Sequence, residues 1–575
     1  MTSDLFDGRK TYVKLAPPPS FECGAYLLYL SRFLFPACLL RFATLLLVGL
    51  AAVLSAACEP RAPVGEQREG AEPLVLRRGL GGQPGSLDPQ RAEDAFSFDV
   101  LRDLYEGLTV SSPSGEVIPA VAESWDIDAS GTIYSFTLRR DARWSNGEPV
   151  LARHFVMSLR RAVDPPTASG GADLLRAIMN APAILRGELP ADQLGVRASG
   201  EHLLEITLSR PVPYFPDILT NTVASPVHDT SLSVAGGFSR PGVTISNGPY
   251  ALAEIVPGGG LRLVRNQHYR DSGSVAFDEV RYEFVPDENS EFTRFRAGEL
   301  DVTNNVPEYR FEELVLQVDS GLQHRAALAT FYLSFNTDRG PLRGNSGLRE
   351  ALSLAIDRRA ITSAITRAGQ LPAYSLVPAG VWNYAPPAYD WHDAKREARI
   401  TRARSLYSAA GYSAEWPLRL RLLYNENDLI QKVCVAIAAM WKQELGVETE
   451  LRQMEFRAYL AARGDPAEWD VVRVGWSADY NDASSFLDTM TLGSPQNFGR
   501  WSDERYARLL ADAAVETDHA RRRQMLQEAE RLMLEDYPVM PVYFYVNRRL
   551  VQPRISAPPI NPMNRTYSRQ FRMKD

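Results

Sequence analysis

Residues 134–165 read YSFTLRRDARWSNGEPVLARHFVMSLRRAVDP, and this stretch decides the fold. From Ile133 to Leu138 the side chains alternate as they do in a half-buried strand. Arg139, Arg140, Asp141 and Arg143 follow, and Asn146-Gly147 marks a tight turn that needs a positive φ. Residues 152–162 carry a helical period, which Asp164-Pro165-Pro166 stops. A strand, a charged turn and a helix in so short a span predict an α+β unit.

On the N-terminal side, residues 74–76 read as a short strand. Residues 95–107 read as a helix with Phe98, Leu101, Leu104 and Tyr105 on one stripe. Between them, residues 79–88 are glycine-rich but contain neither GxGxxG nor GxxxxGK[ST], so no phosphate loop is read there. On the C-terminal side, residues 202–208 alternate and 250–265 form a hairpin interrupted by Gly258-Gly259-Gly260. Residues 280–285 are a strand, and 291–298 a short helix ending at Gly298.

From residue 331 the texture changes. Strands are expected at 331–336, 418–424, 447–451, 471–476 and 540–547, and helices at 347–359, 428–445 and 518–536. The helix at 428–445 is the clearest: Ile430, Val433, Ile437, Met440, Trp441 and Leu445 recur at three and four, and Gly446 closes it. Asp518 caps the last helix. Such alternation predicts an α/β lobe, so the fold class read from the residues is α/β and α+β.

The chain has 575 residues and a formal net charge of −7. It is long enough for several folding units with a substantial core. Mild acidity argues against a nucleic-acid partner, which calls for a basic face. Seven histidines (154, 202, 228, 268, 324, 392, 519) are scattered without an i, i+4 pair and read as lone surface residues. Neither GxSxG nor HExxH occurs, so no catalytic residue, metal ligand or cofactor is assigned.

Residues 42–57 (FATLLLVGLAAVLSAA) are uncharged, follow Arg41 and end at Cys58-Glu59-Pro60. As a helix this run would span about 24 Å, short of a bilayer core, and it reads as an export signal. The Ser55-Ala56-Ala57-Cys58 ending resembles a bacterial lipoprotein box, which would make Cys58 the acylated first residue of the mature protein. Leu54 stands one place further from the cysteine than the usual box has it. Residues 1–57 are therefore taken as a signal or leader region and 58–72, rich in Pro, Gly and charge, as a tether. Cleavage would leave Cys58 and Cys434, and no structural disulfide is expected.

One segment carries the chemistry: residues 470–481, DVVRVGWSADYN. Period two puts Val472, Val474 and Trp476 on one strand face and Val471, Arg473 and Gly475 on the other. An arginine in so apolar a strand needs a partner. Asp479 follows at the strand exit, where α/β proteins place ligand groups. Asp479 with Arg473 would suit the ammonium and carboxylate of a zwitterion. An internal ion pair of Arg473 with Asp470 or Asp479 is the structural alternative.

These segments, with SLDPQ (86–90), DLYEGLT (103–109), PAVAESW (119–125), SNGPYAL (246–252), FRAGELDVT (295–303), LPAYS (371–375), VGWSADYND (474–482) and PVYFYVNRRLV (542–551), resemble the extracytoplasmic solute-binding proteins of peptide ABC importers (family 5), above all its oligopeptide-binding members. The resemblance covers residue 74 to the C-terminus. It implies a two-lobed periplasmic-binding-protein clamshell with an extra domain inserted in lobe I. Lobe I would comprise 73–105, 230–331 and 547–575, the extra domain 106–229 and lobe II 332–546.

The resemblance also implies roles. Asp479 matches an aspartate that binds a peptide's α-ammonium, and Arg473 an arginine that reaches a peptide carboxylate. Gly475 and Ser477 fall where the strand backbone pairs with ligand, and Glu93 and Ala95 on the facing lobe I segment. Trp476, Tyr480 and Asn425 would be pocket walls, and Arg463 a second carboxylate-binding arginine. Ile430 stands where close relatives carry a histidine that engages longer peptides. Ser477 and Ala329 stand where some relatives form a disulfide. The implied function is a periplasmic, lipid-anchored monomer that binds short peptides and delivers them to the transmembrane subunits of an ABC permease, without catalysis. The alternatives are a receptor of the same family for murein peptide, dipeptide, nickel chelate or haem, or a secreted hydrolase.

Overall fold

The computed structural model describes residues 72–574. The expected leader at 1–57, the lipid-bearing Cys58 and all of the tether but Glu72 lie outside the described residues. Among the described residues, no helix is long and apolar enough to cross a membrane.

β1 (Val75–Leu80) is followed by α1 (Ala95–Leu104), whose N-cap Asp94 accepts from the Ser97 amide. Val100, Leu101 and Leu104 form its buried face, while Phe98 is half buried. The hairpin β2 (Thr109–Ser111) and β3 (Val117–Pro119) leads to β4 (Ala122–Ile127) and β5 (Ile133–Leu138). α2 (Ala152–Val163), β6 (Val196–Gly200) and β7 (Leu203–Thr207) complete a four-stranded antiparallel sheet in the order β4-β5-β7-β6, with α2 packed on it. Two of the histidines read as surface residues are not on the surface. His154 and His228 are buried and set edge-on to Trp144, their ring centroids 5.3 and 5.2 Å from its own. His154 Nδ1 accepts from the Leu151 amide at 3.0 Å, so the ring serves as a cap for α2, and burial pushes its pKa down to about 4.

The short α3 (Phe215–Ile218) precedes β8 (Tyr250–Val256), β9 (Gly260–Arg265) and β10 (Glu279–Phe284). These join β1 in a second sheet, ordered β1-β10-β9-β8, in which β1 lies parallel to β10. The third sheet contains β11 (Leu322–Phe335), β12 (Leu371–Pro372), β13 (Arg419–Asn425), β14 (Glu448–Met454), β15 (Val471–Ser477) and β16 (Val539–Leu550) in the order β12-β16-β11-β15-β13-β14. Around it lie α4 (Asp428–Leu445), α5 (Phe456–Arg463) and α6 (His519–Asp536). α4 follows the expected bounds, with Asn427 capping its start and Gly446 its end in the left-handed conformation (φ 78°).

Two large cores make the molecule two-lobed. One gathers Leu328 to Tyr543 around the third sheet, and the other gathers Leu76 to Phe571 around the first two. β11 and β16 run antiparallel from one side to the other. Leu333 and Tyr543 belong to the third-sheet core, while Leu550 packs with Phe295, Leu300, Val306 and Leu314. The pairing is irregular between Ala326 and Thr330, midway along this crossing.

Two expected elements differ most from their bounds. β11 begins at Leu322 rather than at residue 331. The helix expected at 347–359 ends at Leu354, and a second turn, Arg358–Ala360, is capped by Asp357. The break seats the buried Arg358, which donates to the Ser353 and Pro541 carbonyls.

Candidate functional site

β15 is paired on one side only over most of its length. Against β11 it pairs from Val471 to Ser477, but against β13 only at Val471 and Val472. In an antiparallel ladder alternate residues turn their N–H and C=O to the partner. The Ala478 amide donates to Leu328 and the Asp470 carbonyl accepts from Asn336, so the even positions face β11. Arg473, Gly475 and Ser477 therefore turn their main chain to the open side. There the Tyr459 hydroxyl donates to the Arg473 carbonyl, and nothing among the described residues bonds the main chain of Gly475 or Ser477. A cleft of about 480 Å³ lies over the sheet face beside this stretch, lined by Arg473, Gly475, Trp476 and Ser477 of β15, by Ala327, Leu328 and Ala329 of β11, and by Tyr545 and Asn547 of β16.

Arg473 forms no ion pair among the described residues. It donates to Tyr545 Oη at 2.8 Å and Asn425 Oδ1 at 3.3 Å, lies over the Phe331 ring, and leaves Nε without a partner. Asp470, offered as its structural partner, is taken by Arg421 at 3.1 Å. Neither internal ion pair of the structural alternative forms. Arg463, at the end of α5, is also without a carboxylate and lies over the rings of Phe498 and Tyr459. Its Nε and the buried Tyr332 hydroxyl lack partners. Two guanidiniums thus keep unspent charge beside unsatisfied donors, an arrangement suited to an anion. Sequence reasoning missed Tyr545, Tyr459 and Tyr332, which their strand and helix periods left looking like core.

Asp479 stands beyond the other end of the open edge. Its main chain is gripped: its amide donates to Ser485 Oγ at 2.9 Å, and its carbonyl accepts from Arg565 at 3.2 Å and Asn221 at 3.4 Å. Its carboxylate reaches solvent and has no hydrogen bond or ion pair among the described residues. Desolvation by the surrounding protein pushes its pKa above the usual range, and the Arg565 guanidinium pulls it partly back. A lone carboxylate so placed favours a cation.

The remaining candidates divide. Trp476 is half buried, with Nε1 donating to the Ser485 carbonyl at 2.7 Å, and it lines the cleft. Asn425 is buried at the end of β13 and touches the site through Arg473. Tyr480 is not brought to the cleft wall. It is 9% exposed and packs in the core of the other two sheets, against Tyr214. Glu93 and Ala95 sit at the start of α1, Glu93 against Gly170, and do not line this cleft. Ile430 is buried in the first turns of α4. Ala329 and Ser477 are direct cross-strand partners of β11 and β15, the geometry a bridge would need. The one free cysteine among the described residues, Cys434, is buried, and burial pushes its thiol up to about 12. A larger cleft of about 680 Å³, beside Arg91, Arg161 and Phe238, holds none of the candidate residues.

Comparison with known proteins agrees with this arrangement. The model of the bacterial extracellular solute-binding proteins, family 5, matches residues 116–498. The periplasmic murein peptide-binding protein of Escherichia coli is 36% identical over 502 residues, 87% of this chain and 93% of that protein. The periplasmic oligopeptide-binding protein of Escherichia coli is 36% identical over 506 residues, with the same coverage of 87% and 93%. Among solved structures, the unliganded open form of a periplasmic murein tripeptide binding protein superposes with a TM-score of 0.80 at 35% identity, covering 88% of this chain and 98% of that one. With its two lobes, its crossing strands and an open strand edge between them, the chain belongs to the bacterial extracellular solute-binding proteins of family 5.

Proposed function

We propose that the protein is a periplasmic receptor that binds short peptides between its lobes and delivers them to an ABC permease. The observation that carries this reading is the open edge of β15 at Gly475 and Ser477, with an unpaired guanidinium at one end and an unpaired carboxylate at the other. An extended peptide adds to such an edge as a strand, and its backbone supplies affinity whatever its side chains. Asp479 takes the α-ammonium, and Arg473, with Arg463 behind it, the carboxylate. Between Arg473 and Asp479 six residues of extended chain cover roughly 20 Å, room for a ligand of a few residues with bridging water.

Closure of the lobes on ligand shifts an open/closed equilibrium, and the closed form docks on the permease. Acylation of Cys58 holds the monomer at the membrane with its tether at 58–72. The receptor catalyses nothing. Lobe I comprises 73–105, 230–331 and 547–575, the extra domain 106–229 and lobe II 332–546, with Glu93 and Ala95 facing the ligand once the lobes close.

The test is calorimetry on protein unfolded and refolded to strip bound ligand, titrated with trialanine, N-acetyl-trialanine and a nickel chelate. Tight binding of trialanine that is lost on acetylation supports the reading. Binding of the chelate alone would replace the substrate class, and release of free alanine would make the protein a hydrolase.

A further inference from the structure

Three distant segments meet at the main chain of Asp479. Arg565, beyond β16, donates through one nitrogen to the Asp479 carbonyl at 3.2 Å and the Asn221 Oδ1 at 3.5 Å. Through the other it pairs with Asp217 at 3.3 Å and donates to Thr220 Oγ1. Asp217, in α3, also accepts the Asn481 amide at 2.6 Å through its second oxygen. Asn221 gives a second donor to the Asp479 carbonyl, at 3.4 Å. The Arg565 and Asp217 side chains are 4% and 8% exposed, so this is a built, dry contact rather than a surface encounter.

We infer that Arg565 is the positioning residue for Asp479: by fixing the main chain on both sides of residue 480 together with Asp217, it aims the Asp479 carboxylate at an incoming ammonium. The inference rests on the reading of Asp479 as the ammonium ligand.

The chemistry of the contact fits that role better than a plain structural one. A carbonyl can be held by any neutral donor, as Asn221 already does. A guanidinium adds a positive field, and it is the only charged group acting on Asp479 among the described residues; Ser485 and Asn221, its other neighbours, are neutral. Desolvation works against ionisation of Asp479, and Arg565 opposes it. Asp217 pairs with Arg565 in turn and holds the guanidinium in place. The arrangement also ties ligand recognition to the junction between the lobes. The loop that carries Asp479 is the loop whose next residue, Tyr480, is buried in the other core.

The experiment uses the full chain and three variants, Arg565→Gln, Arg565→Lys and Asp479→Asn. Each is titrated with trialanine and N-acetyl-trialanine from pH 4.5 to 8, with folding checked by circular dichroism. Arg565→Gln is expected to lose about tenfold in trialanine affinity and to discriminate less against the acetylated peptide. The pH below which its affinity falls should rise, because Asp479 loses the charge that keeps it ionised. Arg565→Lys should restore the pH profile but not the full affinity, since it keeps the charge and loses the fork. A folded Arg565→Gln protein with wild-type discrimination and pH profile overturns the inference. If that variant does not fold, Arg565→Lys carries the test, and full wild-type affinity and discrimination there overturns it equally. Should Asp479→Asn keep full discrimination, or the wild type ignore trialanine, the reading of the site fails first. Loss in Asp479→Asn with none in Arg565→Gln removes the Arg565 role alone.

Discussion

Tyr214 and Tyr480 lie face to face, 4.4 Å between ring centroids and 3° between planes. Tyr480 follows β15, whose residues pack in the core of the third sheet, yet its ring is counted among the core residues of the other two sheets. It is a peg from one lobe driven into the other. Tyr480→Ala should cost about 3 kcal/mol of stability, the range for removing a buried aromatic ring. Denaturant titration should show the loss, and a separation of one unfolding step into two would reveal that the peg couples the lobes.

Two residues further on, Asp482 accepts a two-pronged ion pair from Arg522 of α6, at 2.6 and 2.8 Å, with both side chains buried. Asp482→Ala would leave a guanidinium buried beside Tyr214 without its carboxylate. The expected cost is about 3–5 kcal/mol. Restoring stability by Arg522→Met in the same chain would assign the loss to the orphaned charge; a double variant as weak as the single would assign it to packing.

Glu530 is fully buried in α6, and its carboxylate accepts from the Leu376 and Val377 amides and from the Tyr384 hydroxyl. Burial raises its pKa to about 7. In the unfolded chain a glutamate releases its proton near pH 4.3, so between about 4.3 and 7 the folded state holds a proton that the unfolded state has lost. Its contribution therefore falls as the pH rises through that window. Glu530→Gln keeps an oxygen for the two amides and removes the titration. The variant should gain on the wild type by about 1–3 kcal/mol on going from pH 4.5 to 7.5, as read by thermal unfolding. Parallel curves would contradict the assignment.

Arg473→Ala should weaken binding of di- and tripeptides by about 2–5 kcal/mol, the cost of stranding a partner charge. Peptides long enough to carry their carboxylate past it should lose less. Calorimetry over peptide lengths decides the matter, because equal loss at every length would return Arg473 to the fold.

What could be read from the residues follows how local each signal is. α4 was legible to its ends because its cap Asn427, its apolar stripe and Gly446 all lie within one stretch. The early start of β11 was not, since Leu322 to Ala326 show no alternation and are held in extended form by distant β16. Asp479 and Arg473 could be singled out as a charge after a strand and a charge within one. That neither finds the other, and that Arg565 reaches Asp479 from 86 positions away, are tertiary facts without a local trace. The two buried histidines failed for the same reason: Trp144, which encloses them, is ten residues from one and far further from the other.

The free stretch of β15 has a cost besides its use. An unpaired strand edge is a template for any other chain, including a second copy of this one, and long exposed edges lead to aggregation. Here Tyr459 occupies the Arg473 carbonyl, and β13 covers Val471 and Val472, so only Gly475 and Ser477 are left bare. Two residues are too few to seed a stacked assembly, which takes segments of about six. The truncation that limits how much ligand backbone can be paired also protects the empty receptor from polymerising while it waits.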